Sequence, residues 1–337
     1  MRFAFLLLLL PFIAGCETLG YYSQAIGGQL GILSAARPVD AWLADPSTPE
    51  PLRAKLRTSQ QIRDFASREL GLPDNASYRS YADLHRPYAV WNVFAAPEFS
   101  TEPRQECFPI TGCVAYRGFF SEEAARRHAE DLRARGYDVY VGGVAAYSTL
   151  GWFNDPLLST FIGAPDAQLA RLIFHELAHQ LVYAPSDTTF NESFAVTVEE
   201  AGVRRWLSAQ GRLEDLKAFE ALQDRRRVLA ERVKATREQL AAVYVQALPE
   251  DEKRKRKAEE YARLRAQYPG IVPEQPNNAF LASVALYNEL VPQLEALLRE
   301  SGSLPAFYDK AREIARSGEA GKLLKPAKPP GPAAAAR

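Results

Sequence analysis

Two of the chain's four histidines, His175 and His179, stand four residues apart, and Glu176 directly follows the first. On an α-helix, positions i and i+4 share one face, so both imidazoles can address a single metal ion. Glu176 sits one step round from His175, near enough to hold a water at the metal without ligating it. Two neutral imidazoles that bind and a carboxylate that takes a proton are what a zinc peptidase needs.

The flanks fit a helix. Leu169, Leu172, Ile173, Leu177, Leu181 and Val182 recur at roughly helical spacing, Pro165 or Asp166 suits a first turn, and Pro185 lies beyond the far end. Catalytic zinc usually takes three protein ligands and leaves one position open, so a third ligand is expected. The turn-rich stretch Ala184-Pro185-Ser186-Asp187-Thr188-Thr189 can fold the chain back antiparallel. It leads into Asn191-Glu192-Ser193-Phe194-Ala195, with Glu199 and Glu200 further on. Glu192 and Glu199 are two helical turns apart and point the same way. Glu192 is expected as the third ligand of one Zn2+ ion, and Glu199 as the carboxylate that orients a histidine from behind. The reverse assignment stays open. Glu200 is expected on the surface.

His-Glu-Leu-Ala-His-Gln followed by Asn-Glu-Ser-Phe-Ala resembles the HExxH and NExFA pair of the gluzincin metallopeptidases, especially the zinc aminopeptidases. The resemblance implies a zincin-like core, with the glutamate of the second motif, here Glu192, as third zinc ligand. The chain departs from the family in its connection from His179 to Glu192, which is shorter than in typical members; Glu199 stands at the longer spacing. The chain also resembles a bacterial family of aminopeptidase lipoproteins, from Tyr21-Tyr22-Ser23-Gln24-Ala25 through Gly151-Trp152-Phe153-Asn154-Asp155-Pro156 to Asn277-Asn278-Ala279.

The implied reaction is peptide hydrolysis with Glu176 as general base. A donor for the developing oxyanion is then needed, for which gluzincins commonly use a tyrosine or histidine; Tyr287 is the candidate, its alternative being to pack its helix. Asn277 and Asn278 can cap that helix or touch substrate. Known zinc aminopeptidases hold the substrate amine with a glutamate on a Gly-rich strand. The comparable stretch here, residues 140–150, contains no glutamate. It can serve as an edge strand that pairs with an extended peptide, or as a purely structural strand.

Arg2, the apolar run from Phe3 to Leu10 and Ile13-Ala14-Gly15-Cys16 have the layout of a secretory signal ending in a bacterial lipobox, with Cys16 as the lipidated residue. Glu17 rather than aspartate follows, which points to the outer membrane, facing the periplasm. The remaining cysteines, Cys107 and Cys113, are expected to form a disulfide in that oxidising compartment. Lys plus Arg equals Asp plus Glu, 41 each, so no nucleic-acid partner is implied. The basic run Lys253 to Lys257 follows Glu250-Asp251-Glu252 and reads as a solvated helix end, with anionic headgroups the alternative partner. His128 falls on a surface helix; His85 could reach a cleft from a loop.

With 47% hydrophobic and 24% charged residues, the chain can bury a sizeable core. The expected fold is α+β and predominantly helical. Residues 1–15 form the signal and 16–40 an anchored N-terminal segment. Residues 41–163 form a mixed α/β part with a helix from Pro51 to Leu70, another over 121–135, and strands at 88–94, 113–119 and 138–144. Residues 164–323 hold the zinc helices, including a long helical hairpin over 212–268 that could cover the cleft, contact a protein partner or simply extend the fold. Residues 324–337, rich in Pro and Ala, form a disordered tail. Two functions follow: a lipid-anchored zinc metallopeptidase acting on peptides, or a non-hydrolytic envelope lipoprotein that uses a peptidase-like fold to bind a partner or cell-wall component.

Overall fold

The computed structural model describes residues 10–108, 112–146 and 148–318, and the side chains from residue 20 onward. The first nine residues of the expected signal, the side chain of Cys16 and the 324–337 tail lie outside the described residues. The chain is α+β and mostly helical. Among the described residues no helix is long and apolar enough to cross a membrane.

The first part runs α1 (Leu10–Ala35), β1 (Arg37–Pro38), α2 (Val39–Ala44), α3 (Glu50–Leu70) and β2 (Ser80–Ala82), followed by β3 (Val90–Pro97), β4 (Glu106–Phe108), β5 (Gly112–Val114), β6 (Tyr116–Phe119), α4 (Glu122–Ala134), β7 (Tyr137–Val144) and β8 (Leu157–Leu158). Strand β3 is the centre of an antiparallel sheet in the order β6-β3-β7, with Trp91 opposite Phe119 and Asn92 opposite Gly142. Successive β3 side chains face opposite sides. Trp91, Val93 and Ala95 pack under Ala125, Ala129 and Leu132 of α4, while Phe94 and Ala96 meet Ala279 and Leu286 on the other face. β4 and β5 form a hairpin cross-linked by Cys107 and Cys113.

The second part is helical: α5 (Asp166–Leu181), α6 (Thr188–Ala209), α7 (Leu213–Tyr244), α8 (Glu250–Gln267), α9 (Asn278–Asn288), α10 (Val291–Ser301) and α11 (Leu304–Arg316). Helix α6 is buried on nearly every side, packed by α3, α5, α7, α9 and α10. Phe190, Phe194 and Trp206 are among its fully buried side chains, each contributing about 1.5–3 kcal/mol of hydrophobic stabilisation. Its contact with α3 and α5 depends on Gly202, where a methyl group would sit 2.8 Å from Leu70 and from Phe174.

Helices α7 and α8 pack against each other through Val233, Leu240, Tyr261 and Leu264. They are tied to the sheet through Asn278. Its side-chain oxygen accepts from the Tyr244 hydroxyl at 2.9 Å and from Tyr261, and its nitrogen donates to the carbonyls of Pro97 and Glu98. Asn277 caps α9 by accepting from the Phe280 amide at 3.0 Å. Asn277 also donates to the Val139 carbonyl at 3.0 Å, so both asparagines brace the helices against the sheet and Asn277 caps as well.

Candidate metal centre

Helix α5 carries the first half of the site. Leu169, Ala170, Ile173, Phe174, Leu177 and Ala178 are fully buried along it, and this apolar packing fixes its rotation. Arg171, His175 and His179, spaced four residues apart, lie along one face and look toward α6. Asp166 in the first turn accepts from Lys55 at 2.8 Å and from Arg212 at 3.1 Å, its charge placed favourably against the helix dipole.

The turn between α5 and α6 is held by side chains. Asp187 caps α6 by accepting from the Phe190 amide at 2.9 Å. The Asn191 amide spans the turn, accepting from the Ala184 N–H at 2.7 Å and donating to its carbonyl at 2.9 Å. The cross-linked β4–β5 hairpin docks here too, with the Cys113 N–H donating to Ser186 Oγ at 3.1 Å.

This geometry sets Glu192 against both histidines. Its Oε2 lies 3.3 Å from His175 Nε2 and 3.7 Å from His179 Nε2, and the two Nε2 atoms are 3.2 Å apart. Among the described residues, His175, His179 and Glu192 form the one group of three side chains able to hold a metal ion, with donor atoms within 4.8 Å of one another, all buried. Glu199 meets the other side of the ring: its Oε2 lies 2.8 Å from His175 Nδ1, and its Oε1 accepts from Arg171 at 2.8 Å.

The protonation pattern follows from these contacts. Glu199 is held ionised: burial opposes this, but Arg171 and His175 outweigh it and lower its pKa. An ionised carboxylate only accepts, so His175 Nδ1 carries the proton and donates. His175 Nε2 is then the nitrogen that faces the Glu192 carboxylate and the second imidazole, holding a proton there that a bound cation would displace to take the lone pair. Burial disfavours charge on His175, yet Glu199 and then Glu192 raise its pKa; Glu192 is lowered against burial chiefly by His179 and His175. Two buried ionised carboxylates around the imidazoles favour positive charge at their centre, whether a proton or a metal cation. Two imidazoles and one carboxylate are also a donor set suited to zinc, so the residues fit the ion.

Glu176 is buried beside this group and lines a cavity of about 1170 Å³. Burial raises its pKa, the two histidines work against that, and Glu192 and Glu199 add to it. The cavity runs between β7, through Gly142 and Gly143, and α7, through Gln223 and Arg226, with His175, Glu176 and Tyr287 in its wall. The Tyr287 ring centroid is 6.4 Å from that of His175. Glu192 first, then burial, keeps its hydroxyl protonated well above the usual tyrosine range.

The family model described as "Putative aminopeptidase" matches residues 20–323. The chain belongs to this family. Comparison with curated proteins and with solved structures finds no match.

In this aminopeptidase-family chain, His175, Glu176, His179, Glu192, Glu199 and Tyr287 come together. Glu200 departs from the sequence expectation: it is buried, accepts from Arg204 at 2.6 Å and lines the cavity, because α6 is enclosed and has no outward face at that position. His85 is exposed, 3.4 Å from Asp83, and is not in the cavity wall; His128 sits beside Phe119. Sequence reasoning missed Arg171, although its four-residue spacing from His175 was a usable signal. It also missed Tyr116, which enters from β6; burial, then Glu192, Tyr183 and Glu176 raise its pKa. No local signal connects Tyr116 to the histidine helix.

Proposed function

We propose that the chain is a single-zinc metallopeptidase of the aminopeptidase type, with a zincin-like core, acting on short peptides. The observation that carries this reading is the convergence of His175 Nε2, His179 Nε2 and Glu192 Oε2 beside a buried, protonatable Glu176. His175, His179 and Glu192 would hold the ion. When bound, zinc supplies Lewis acidity, which acidifies water and polarises a carbonyl.

The chain's own residues supply the rest. Glu199 and Arg171 lock His175 in the tautomer that presents Nε2. Glu176 takes a proton from the attacking water and returns it to the leaving amine, its raised pKa bringing it nearer the range suited to both steps. Tyr287 donates to the developing oxyanion. Strand β7 is an edge of its sheet, and its Gly142-Gly143 segment lines the cavity. An extended peptide can lie along it and pair by main-chain hydrogen bonds. The cavity exceeds the range of about 300–1000 Å³ usual for small-molecule pockets, as a peptide of several residues requires.

The proposal includes export and anchoring: lipidation at Cys16 would hold the enzyme at the outer membrane, facing the periplasm, with the 107–113 disulfide formed there. The test is digestion of a random peptide library by zinc-loaded wild type and Glu176→Gln, with zinc measured in both. Wild type should release free amino acids, and the variant should keep zinc without cleaving. Internal fragments would overturn the aminopeptidase assignment, and no cleavage by wild type would overturn the peptidase reading.

A further inference from the structure

The α7 wall of the cavity carries charge that the hydrolytic chemistry above does not use. Three of the cavity's arginines are paired with carboxylates: Arg171 with Glu199 at 2.8 Å, Arg227 with Asp224 at 3.0 Å, and Arg237 with Glu102 at 3.4 Å. Arg226 differs. Among the described residues it forms no ion pair, and its one hydrogen bond is a long donation, 3.4 Å, to the Gln223 side-chain oxygen. Gln223 is itself only 3% exposed, and its Nε2 has no partner among the described residues.

Arg226 is open to solvent but set within the cavity. Surrounding protein lowers its pKa, as does Arg171, while Glu199 and Glu200 act in the opposite direction. Arg226 lines the same cavity as Arg171, His175, Glu176 and Glu199. The planar fork of a guanidinium suits two-point contact with a carboxylate, and here it lines the cavity without one. Among the described residues, Glu231, Glu238 and Glu295 of the same wall form no ion pair with it.

We infer that Arg226, steadied by Gln223, is a specificity-determining residue that binds a carboxylate of the peptide substrate. The inference rests on the peptidase reading above and narrows its substrates to peptides bearing an anionic group near the cleaved bond. That group is either an acidic side chain or the C-terminal carboxylate of a very short peptide.

Two matched peptide pairs separate these sources: a tripeptide as free acid against its C-terminal amide, and amidated peptides differing only by Glu against Gln. For the zinc-loaded wild type, kcat/KM should favour the carboxylate member of at least one pair by about tenfold or more, as expected for a charge-assisted hydrogen bond, and less at high salt. Arg226→Ala should bring that ratio toward one. Arg226→Lys should restore part of it and guards against loss of fold in the alanine variant. Arg225→Ala, one residue away and outside the cavity wall, should keep the wild-type ratio. Equal rates within both pairs for wild type, or a preference that survives Arg226→Ala, would overturn the inference. If wild type cleaves none of the peptides, the peptidase reading fails separately, and the same pairs are titrated by calorimetry. A carboxylate preference lost in Arg226→Ala would still support the Arg226 site, and equal affinities or no binding would end it.

Discussion

The Oε2 of Glu199 lies 2.8 Å from Nδ1 of His175, on the side of the ring opposite to Glu192. The two carboxylates, two turns apart on α6, therefore reach different nitrogens of one imidazole and are not interchangeable. Glu192→Ala should lower zinc affinity by well over 100-fold, whereas Glu199→Gln should lower it by about 10–100-fold. Competition against a chromophoric chelator measures both. A larger loss in Glu199→Gln would mean that the ligand is misassigned.

Glu176→Gln should keep the wild-type zinc stoichiometry and lose about 10²–10⁴-fold in kcat, the range for general-base catalysis. Inductively coupled plasma mass spectrometry and a peptide assay on the same preparation report the two quantities. Loss of zinc in this variant would show that Glu176 ligates and would remove the proposed base.

Tyr287 lines the cavity whereas Tyr116 does not, although Glu192 raises the pKa of both. Tyr287→Phe should cost about 10²-fold in kcat with little change in KM, as for loss of an oxyanion donor. Tyr116→Phe should cost less than about tenfold. Steady-state kinetics at saturating zinc would decide, and a reversed order would transfer the role to Tyr116.

Asp155 is 3% exposed and accepts from the Thr149 N–H and hydroxyl at 3.0 and 2.8 Å. Burial raises its pKa from 3.8 to about 6, against the Thr149 hydrogen bonds and with Glu176 adding to the rise. The folded protein thus holds this proton more tightly than the unfolded chain. The resulting stabilisation is complete below the unfolded value and is lost as pH rises through 6. It amounts to about 3 kcal/mol. Urea unfolding of wild type and Asp155→Asn from pH 4 to 7 should show the stability difference shifting by that amount toward the variant. A constant difference would refute the linkage.

The grouping of His175, His179 and Glu192 was legible because its elements are local: helical periodicity places His175 above His179, and the Asn191–Ala195 motif follows after one turn. The sheet was legible in part: β3 reaches to Pro97, beyond the expected end, because its pairing with β7 continues to Tyr137, whereas the expected run 113–119 divides at Ala115 between β5 of the hairpin and β6 of the three-stranded sheet. What could not be read was juxtaposition. Tyr116 reaches the site from β6, and Arg226 from a helix whose sequence resembles any charged surface helix. Glu200 was misplaced because sequence gives a helix's own periodicity but not how many neighbours enclose it. Asn278 was ambiguous for a similar reason, since its four partners come from three separate segments.

The brief link between α5 and α6, clasped by Asn191, has a kinetic corollary. Since all three donors belong to one helix–turn–helix unit, the cation pocket can form at the rate of a local contact, before the distant strand wall and α7 have docked. An ion captured at that stage would act as a staple on a nascent intermediate, so zinc should accelerate refolding as well as raise the melting temperature of the finished protein.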